Sequence, residues 1–271
     1  MVAPLFTDEK IATLRPHIQK TADTLLDAVV KAGCASGPID LIADFALPLP
    51  SYIIYGIIGV PFTDLPYLTR QAAIRSNGSA TASEAGGASQ ELLDYLRRLV
   101  EKRMEAPTDD MISKLVTEQL SQGKLEKDDV VQIAFLTLVA GNATMVNMIA
   151  LGVVTLLQHP EQLEELKADR TGKVVQRFVE ELCRYHTASG LATRRVAKVD
   201  VEFGEVNIKA GEGIIAATQS GNRDEDVFEQ PDEFNMNRKR GPEEGLGFGW
   251  GDHRCIGETL ARTEMEIAFG E

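Results

Sequence analysis

Apolar residues recur three and four positions apart through most of the first two-thirds of the chain, the spacing of one helix face after another. Thr7-Asp8-Glu9-Lys10 opens a helix to about Lys31, with Ile11, Leu14, Ile18, Leu25 and Leu26 on one side and Gly33 as its stop. Pro48 and Pro50 precede an apolar stretch from Tyr52 to Val60, and Asp64 starts a helix to about Ser76. Residues 77–89, rich in Gly, Ser and Ala, read as a flexible loop. Gln90 to Glu105 is helical, with Leu92, Leu93, Leu96 and Leu99 in register, and Asp109 caps a short helix. A long central helix occupies about 127–158, Pro160 begins the next, and Lys173 to His186 forms another.

The period changes at Thr193. Residues 199–204 and 214–218 look like short strands separated by Gly-rich turns. Residues 221–254 carry little periodicity and many Gly, Pro, Asn and Asp, and Cys255 begins a last helix. The pattern predicts a mainly α chain with a small β part and no internal repeat.

Composition narrows the classes. A formal net charge of −13 over 271 residues argues against a nucleic-acid or anionic-membrane binder, although a local basic pocket remains compatible with it. Three scattered cysteines are too few for a disulfide framework and suit a reducing compartment. No targeting signal is visible, so a soluble cytoplasmic or mitochondrial protein is expected. Residues 130–158 lack charge and are long enough to span a bilayer. Gln132, Asn142 and Asn147 interrupt the run, and no basic or aromatic belt flanks it, so no membrane span is expected.

The strongest chemical signal is residues 246–257, within which Phe248-Gly-Trp-Gly-Asp-His-Arg-Cys255-Ile-Gly257 stands at a predicted helix start. Gly249 and its neighbours allow close approach to a flat ligand, Phe248 packs beside a sulfur, and unpaired helix N–H groups favour a thiolate at Cys255. His253 and Arg254 add donors for carboxylates. A buried inert cysteine after a glycine-rich loop explains the residues about as well. A zinc site lacks two ligands, and a phosphate loop lacks the glycine spacing.

Phe248-x-x-Gly251-x-x-x-Cys255-x-Gly257 resembles the haem-binding signature of the cytochrome P-450 family. Three further segments agree with it, in the same order. Glu181-Leu-Cys-Arg184 is similar to that family's E-x-x-R pair, and Asn222-Arg223-Asp224 with Phe228, Pro231 and Phe234 resembles the segment before the haem loop. Where many members have an arginine this chain has Glu233, which points to Arg238 as the anchoring partner. Ala140-Gly141-Asn142-Ala143-Thr144 resembles A-G-x-D/E-T, whose small residues let a helix pass over the haem and whose threonine reaches a distal ligand. The resemblance implies haem b with Cys255 as the axial metal ligand, and Ala140, Gly141, Phe248, Gly249 and His253 around it.

Monooxygenases of the family usually carry an acid where this chain has Ala143. The wording of residues 138–150, 180–189, 45–55 and 73–79 is similar to the fungal nitric oxide reductases. That resemblance implies reduction of nitric oxide to nitrous oxide by NADH or NADPH, with hydride passing directly from nicotinamide to the ligand on ferric haem and no reductase partner. By motif position it assigns Arg75 and Arg194 to the dinucleotide phosphates and Arg195 to a haem propionate, since arginine binds phosphate and carboxylate in bidentate fashion. Thr144 and Ser189 would steer the nicotinamide and relay a proton; as plain hydroxyls they are as readily satisfied by helix carbonyls. A monooxygenase fed by a separate donor and an inactive fragment are the alternatives.

The match begins well inside a full domain of the family and stops within the helix after Cys255. The chain therefore reads as a single incomplete domain, missing strands and helices that cover the haem. Weak or absent haem retention by residues 1–271 alone is the expectation.

Overall fold

A computed structural model describes residues 1–35, 37–190, 194–239 and 245–270. The chain is mainly helical and folds as two compact units, Met1–Ala150 with Thr259–Phe269, and Leu151–Glu258.

The first unit opens with α1 (Asp8–Ala32), as the sequence indicates. Thr7 Oγ1 accepts from Lys10 N at 3.3 Å, Asp8 and Glu9 lie in the first turn, and Gly33 ends the helix at φ +61°. Next comes α2 (Pro48–Ile58), which takes up both prolines that were expected to precede it. A first turn has no amide partners to lose, so proline is tolerated there. Then come α3 (Leu65–Ser76) and α4 (Ala82–Glu105). Most of the predicted flexible loop at 77–89 is therefore helix. Thr81 and Glu84 form a reciprocal capping box, Glu84 N donating to Thr81 Oγ1 and Thr81 N to Glu84 Oε2.

The short α5 (Met111–Leu115) is capped by Asp110 rather than Asp109. Arg103 Nε and Thr108 Oγ1 donate to the Asp110 carboxylate, which leaves no space for a Cβ on Gly59. Side chains of α2 to α5 and of α6 (Lys127–Ala140) form one apolar core around Tyr55, Leu68, Leu96, Ile112 and Leu138. A second core joins Ile11 and Ile18 of α1 to Ile53 of α2, Ile149 of α7 (Ala143–Gln158), and Leu260 and Ile267 of the C-terminal helix. The stretch Lys127–Gln158 is long and apolar enough, by length and composition alone, to cross a membrane; a third of its most apolar window is buried.

The second unit holds α8 (Pro160–Ala168) and the strongly amphipathic α9 (Lys173–His186). Two antiparallel ribbons follow. β1 (Arg194–Val196) pairs with β4 (Gly213–Ile215), and β2 (Val201–Phe203) pairs with β3 (Val206–Ile208). Among the described residues, the last element of this unit before the cysteine loop is the single turn α10 (Thr218–Gly221).

Candidate functional site

In the second unit the cysteine loop is built on α9. Gly247 lies so close to that helix that a Cβ would meet Cys183 O at 2.7 Å and Cys183 Cβ at 3.2 Å. Leu246 N donates to Asn222 Oδ1 at 2.6 Å, and Asn222 Nδ2 donates to Thr187 Oγ1 at 2.8 Å. Thr187, at φ +46°, ends α9 and returns its own hydroxyl proton to Arg184 O at 2.8 Å. Asn222 is fully buried, and both ends of its amide are used. Its place in the motif was visible in the sequence; that one amide joins the helix end to the loop was not.

Beneath this lies the Glu181–Arg184 pair, each side chain 4% exposed. Arg184 donates to the carboxylate through Nε and Nη2 at 2.9 and 2.7 Å, and to the carbonyls of Asn222, Pro231 and Glu233. Arg238 completes the group. Its Nε reaches Glu181 at 3.1 and 3.3 Å, while its other nitrogens serve the carbonyls of Glu229, Gln230 and Glu233. The sequence expectation for Arg238 agrees with this placement.

From Leu246 to Phe248 the chain makes one 3-10 turn, then Gly249 and Gly251 take φ +76° and +77° around an extended Trp250. At this φ glycine carries no steric penalty. Cys255 N donates to Phe248 O at 2.9 Å, closing the loop so that the cysteine returns beside Phe248. The last helix, α11 (Glu258–Gly270), begins three residues later than the sequence suggests. Cys255 stands in the turn ahead of it, with Glu258 N donating back to Cys255 O at 3.4 Å. Glu258 instead takes the first helical position and holds Arg254 through two bonds of 2.6 and 2.7 Å. That pairing ties down the guanidinium that would otherwise serve a haem carboxylate.

Cys255 and His253 are exposed, and a Cβ on Gly249 or Gly251 would meet nothing. Trp250 and Ile256 beside them are 69% and 49% exposed. A thiol at the end of a bare, apolar-flanked glycine face suits a flat, hydrophobic prosthetic group with a sulfur ligand, and these residues fit haem.

The first unit holds the A-G-N-A-T segment. Here the expected continuous helix is interrupted: Gly141 and Asn142 form a turn between α6 and α7. Helical bonding resumes with Val146 N donating to Asn142 O at 3.1 Å. A Cβ on Gly141 would lie 2.8 Å from the end of the Ile54 side chain of α2, so a larger residue here would have to displace Ile54. Thr144 Oγ1 donates to Ala140 O at 2.9 Å, and Ala140 is exposed. Asn142 is buried, with Nδ2 donating to Ser51 Oγ at 2.6 Å. Arg75, half-buried near the end of α3, lies 5.8 Å from the Phe135 ring centroid and borders the same small cavity as Asn142.

The remaining predicted residues belong to the second unit. Ser189 is exposed in the turn after α9, which Gly190 N to Thr187 O at 3.0 Å and Thr218 Oγ1 to Gly190 O at 3.3 Å hold in shape. Arg194 and Arg195 are exposed on β1, opposite Ile215 and Ile214. Successive strand residues point to opposite faces, so the two arginines lie on opposite faces of the ribbon.

A helical scaffold presenting an exposed cysteine from a glycine loop braced by a buried Glu-Arg pair is the kind of site that holds a haem through a cysteine thiolate. Residues 64–271 match the cytochrome P450 family model, and the chain belongs to the cytochrome P450 family. It is 62% identical over 269 residues to cytochrome P450 55A3 of Fusarium lichenicola, covering 99% of this chain and 65% of that protein. It is 41% identical to pentalenic acid synthase of Streptomyces avermitilis, covering all of this chain and again 65% of the relative. Among solved structures, the crystal structure of GfsF superposes with a TM-score of 0.92 at 38% identity, over 99% of this chain and 67% of that one. The chain thus spans about two-thirds of the length of the relatives it matches.

Proposed function

We propose that the protein, at the length of its relatives, reduces nitric oxide to nitrous oxide with NADH or NADPH and needs no separate reductase. Ala143 carries this reading. The turn before Thr144 offers a hydroxyl and a buried amide but no carboxyl group, where oxygen-activating members usually place one. The similarity to cytochrome P450 55A3 and the subfamily wording noted above support it. In balance, two molecules of nitric oxide, one of NAD(P)H and one proton give nitrous oxide, water and the oxidised nucleotide.

Haem held by Cys255 would supply the redox-active iron at which nitric oxide binds. The chain's own residues bind and orient the other reactant. Arg75 and Arg194 take the dinucleotide phosphates, and Arg195, on the other face of β1, takes a haem propionate. Thr144 gives its proton to Ala140 O, so its free lone pairs accept from the nicotinamide amide. Ser189, exposed in the turn after α9, passes a proton in this reading.

The test is to supply the haem-loaded protein with nitric oxide and NADH, without a reductase, and to measure nitrous oxide. None formed would sink the reading. A relative 37% identical over 262 residues is named vitamin D3 dihydroxylase, from Streptomyces griseolus, and that name favours a second reading, a monooxygenase fed by a separate electron donor. Slow NADH oxidation with nitric oxide, but brisk hydroxylation once a reductase is added, would establish it.

A further inference from the structure

We propose that Asn142 is a positioning residue: its buried amide ties the break between α6 and α7 to Ser51 of α2 and thereby fixes Thr144 for the chemistry proposed above, on which this role rests. Asn142 is 3% exposed and Ser51 is fully buried. The bonding pattern admits one orientation. Ser51 has a single hydroxyl proton, and it goes to Leu47 O at 2.6 Å. The Ser51 oxygen therefore accepts, and the group facing it at 2.6 Å must be the Asn142 amide nitrogen.

A second contact fixes the same place. Gly141 rests against Ile54, three residues along α2 from Ser51 and so on the same helix face. The two residues of the break thus meet one face of one helix, Gly141 by shape and Asn142 by a directional bond. A helix that loses regular bonds at a glycine turn has no local reason to keep one bend. The Asn142–Ser51 bond supplies one from 91 positions away. Its consequence falls on the next turn, because Val146 N donates to Asn142 O and Thr144 Oγ1 to Ala140 O, on either side of the tether.

The Tyr55 phenol lies beside the Ser51 and Thr69 hydroxyls, and burial pushes it up to about 12 against their smaller lowering effect. The other flank of Asn142 borders a cavity of about 10 Å³, walled also by Arg75 and Ser76 of α3. That is room for one water at most. The helix carrying a proposed phosphate-binding arginine and the break therefore share one wall.

The experiment uses the haem-loaded protein at the length of its relatives, with Asn142→Leu, which keeps the volume and removes the amide, Ser51→Ala, which removes the acceptor, and the double variant. All should keep the red-shifted carbonyl Soret band of a thiolate haem. Each single variant should speed hydrogen exchange at the Val146 amide about tenfold, the effect of one well-placed bond. Each should also shift or broaden the C–O stretch of the carbonyl complex and lower kcat with NADH while leaving its KM unchanged. The double variant should be no worse than either single one. Unchanged exchange and an unchanged C–O stretch in Ser51→Ala, or additive effects in the double variant, overturn the proposal. If Asn142→Leu loses haem, Ser51→Ala alone decides. Should the unaltered protein form no nitrous oxide, the functional reading fails, while exchange and the C–O stretch still decide whether Asn142 sets the break.

Discussion

Two side chains differ in how far they are buried, and each gives a test. Cys255 is exposed in the turn ahead of α11, and the loop that carries it is closed by its own amide. The backbone, not the sulfur, makes that closure. Cys255→Ala should abolish the red-shifted carbonyl Soret band yet leave the helical circular dichroism intact; a band that survives would refute the ligand assignment. Glu264, in α11, is the opposite case. Its carboxyl is buried, Oε2 has no partner, and burial pushes its pKa up to about 8. A pKa raised in the folded state means that the native protein holds a proton which the unfolded chain releases from about pH 4.5 upward. Stability from this group then declines between about pH 4.5 and 8, by at most about 1.4 kcal/mol per pH unit. Glu264→Gln should remove that slope, so urea midpoints of the two proteins should diverge as pH rises. Parallel curves would show that the carboxyl is not held neutral.

At the scale of elements, the Glu181 group shows how the sequence and the tertiary structure divide the information. Residues three apart on a helix announce themselves by spacing, and the departure at Glu233 already pointed to Arg238. The three carbonyls that each arginine serves could not be read, because they lie in a segment without periodicity. With one carboxylate between two guanidinium groups, the two kinds of loss differ. Glu181→Ala leaves Arg184 buried without its counter-charge and should cost about 3–5 kcal/mol. Arg238→Ala keeps the Glu181–Arg184 pair and should cost less; denaturant unfolding of the two variants gives the order, and equal losses would contradict it. Helices α1 and α9 were legible because each buries one face, and Gly33 marks where α1 ends. The start of α4 was hidden by Gly86 and Gly87, whose composition outweighed the Thr81–Glu84 cap. The break at Gly141–Asn142 was hidden for another reason. The apolar pattern runs straight through it, and what makes it is contact with Ile54 and Ser51, remote in sequence.

For the whole molecule, charge poses a problem that the proposed reaction has to solve. The chain carries a net −13, yet the reading requires it to admit a dinucleotide with an anionic pyrophosphate. A uniformly acidic surface would repel that ligand, so local arginines have to reverse the potential where it binds. Arg75 and Arg194 are the candidates, one half-buried near the end of α3 and one exposed on a ribbon. Salt separates the two contributions, because added ions screen charges beyond a Debye length of about 8 Å at physiological strength while close contacts are screened less. With both arginines present, the KM for NADH should rise with ionic strength, since attraction at the site is what salt weakens. With Arg194→Ala, KM at low salt should rise about tenfold, the value of one charge-assisted contact, with kcat unchanged. The salt dependence should then flatten or reverse, because net repulsion is what remains to be screened. A KM that responds to salt identically in both proteins would remove Arg194 from the nucleotide site.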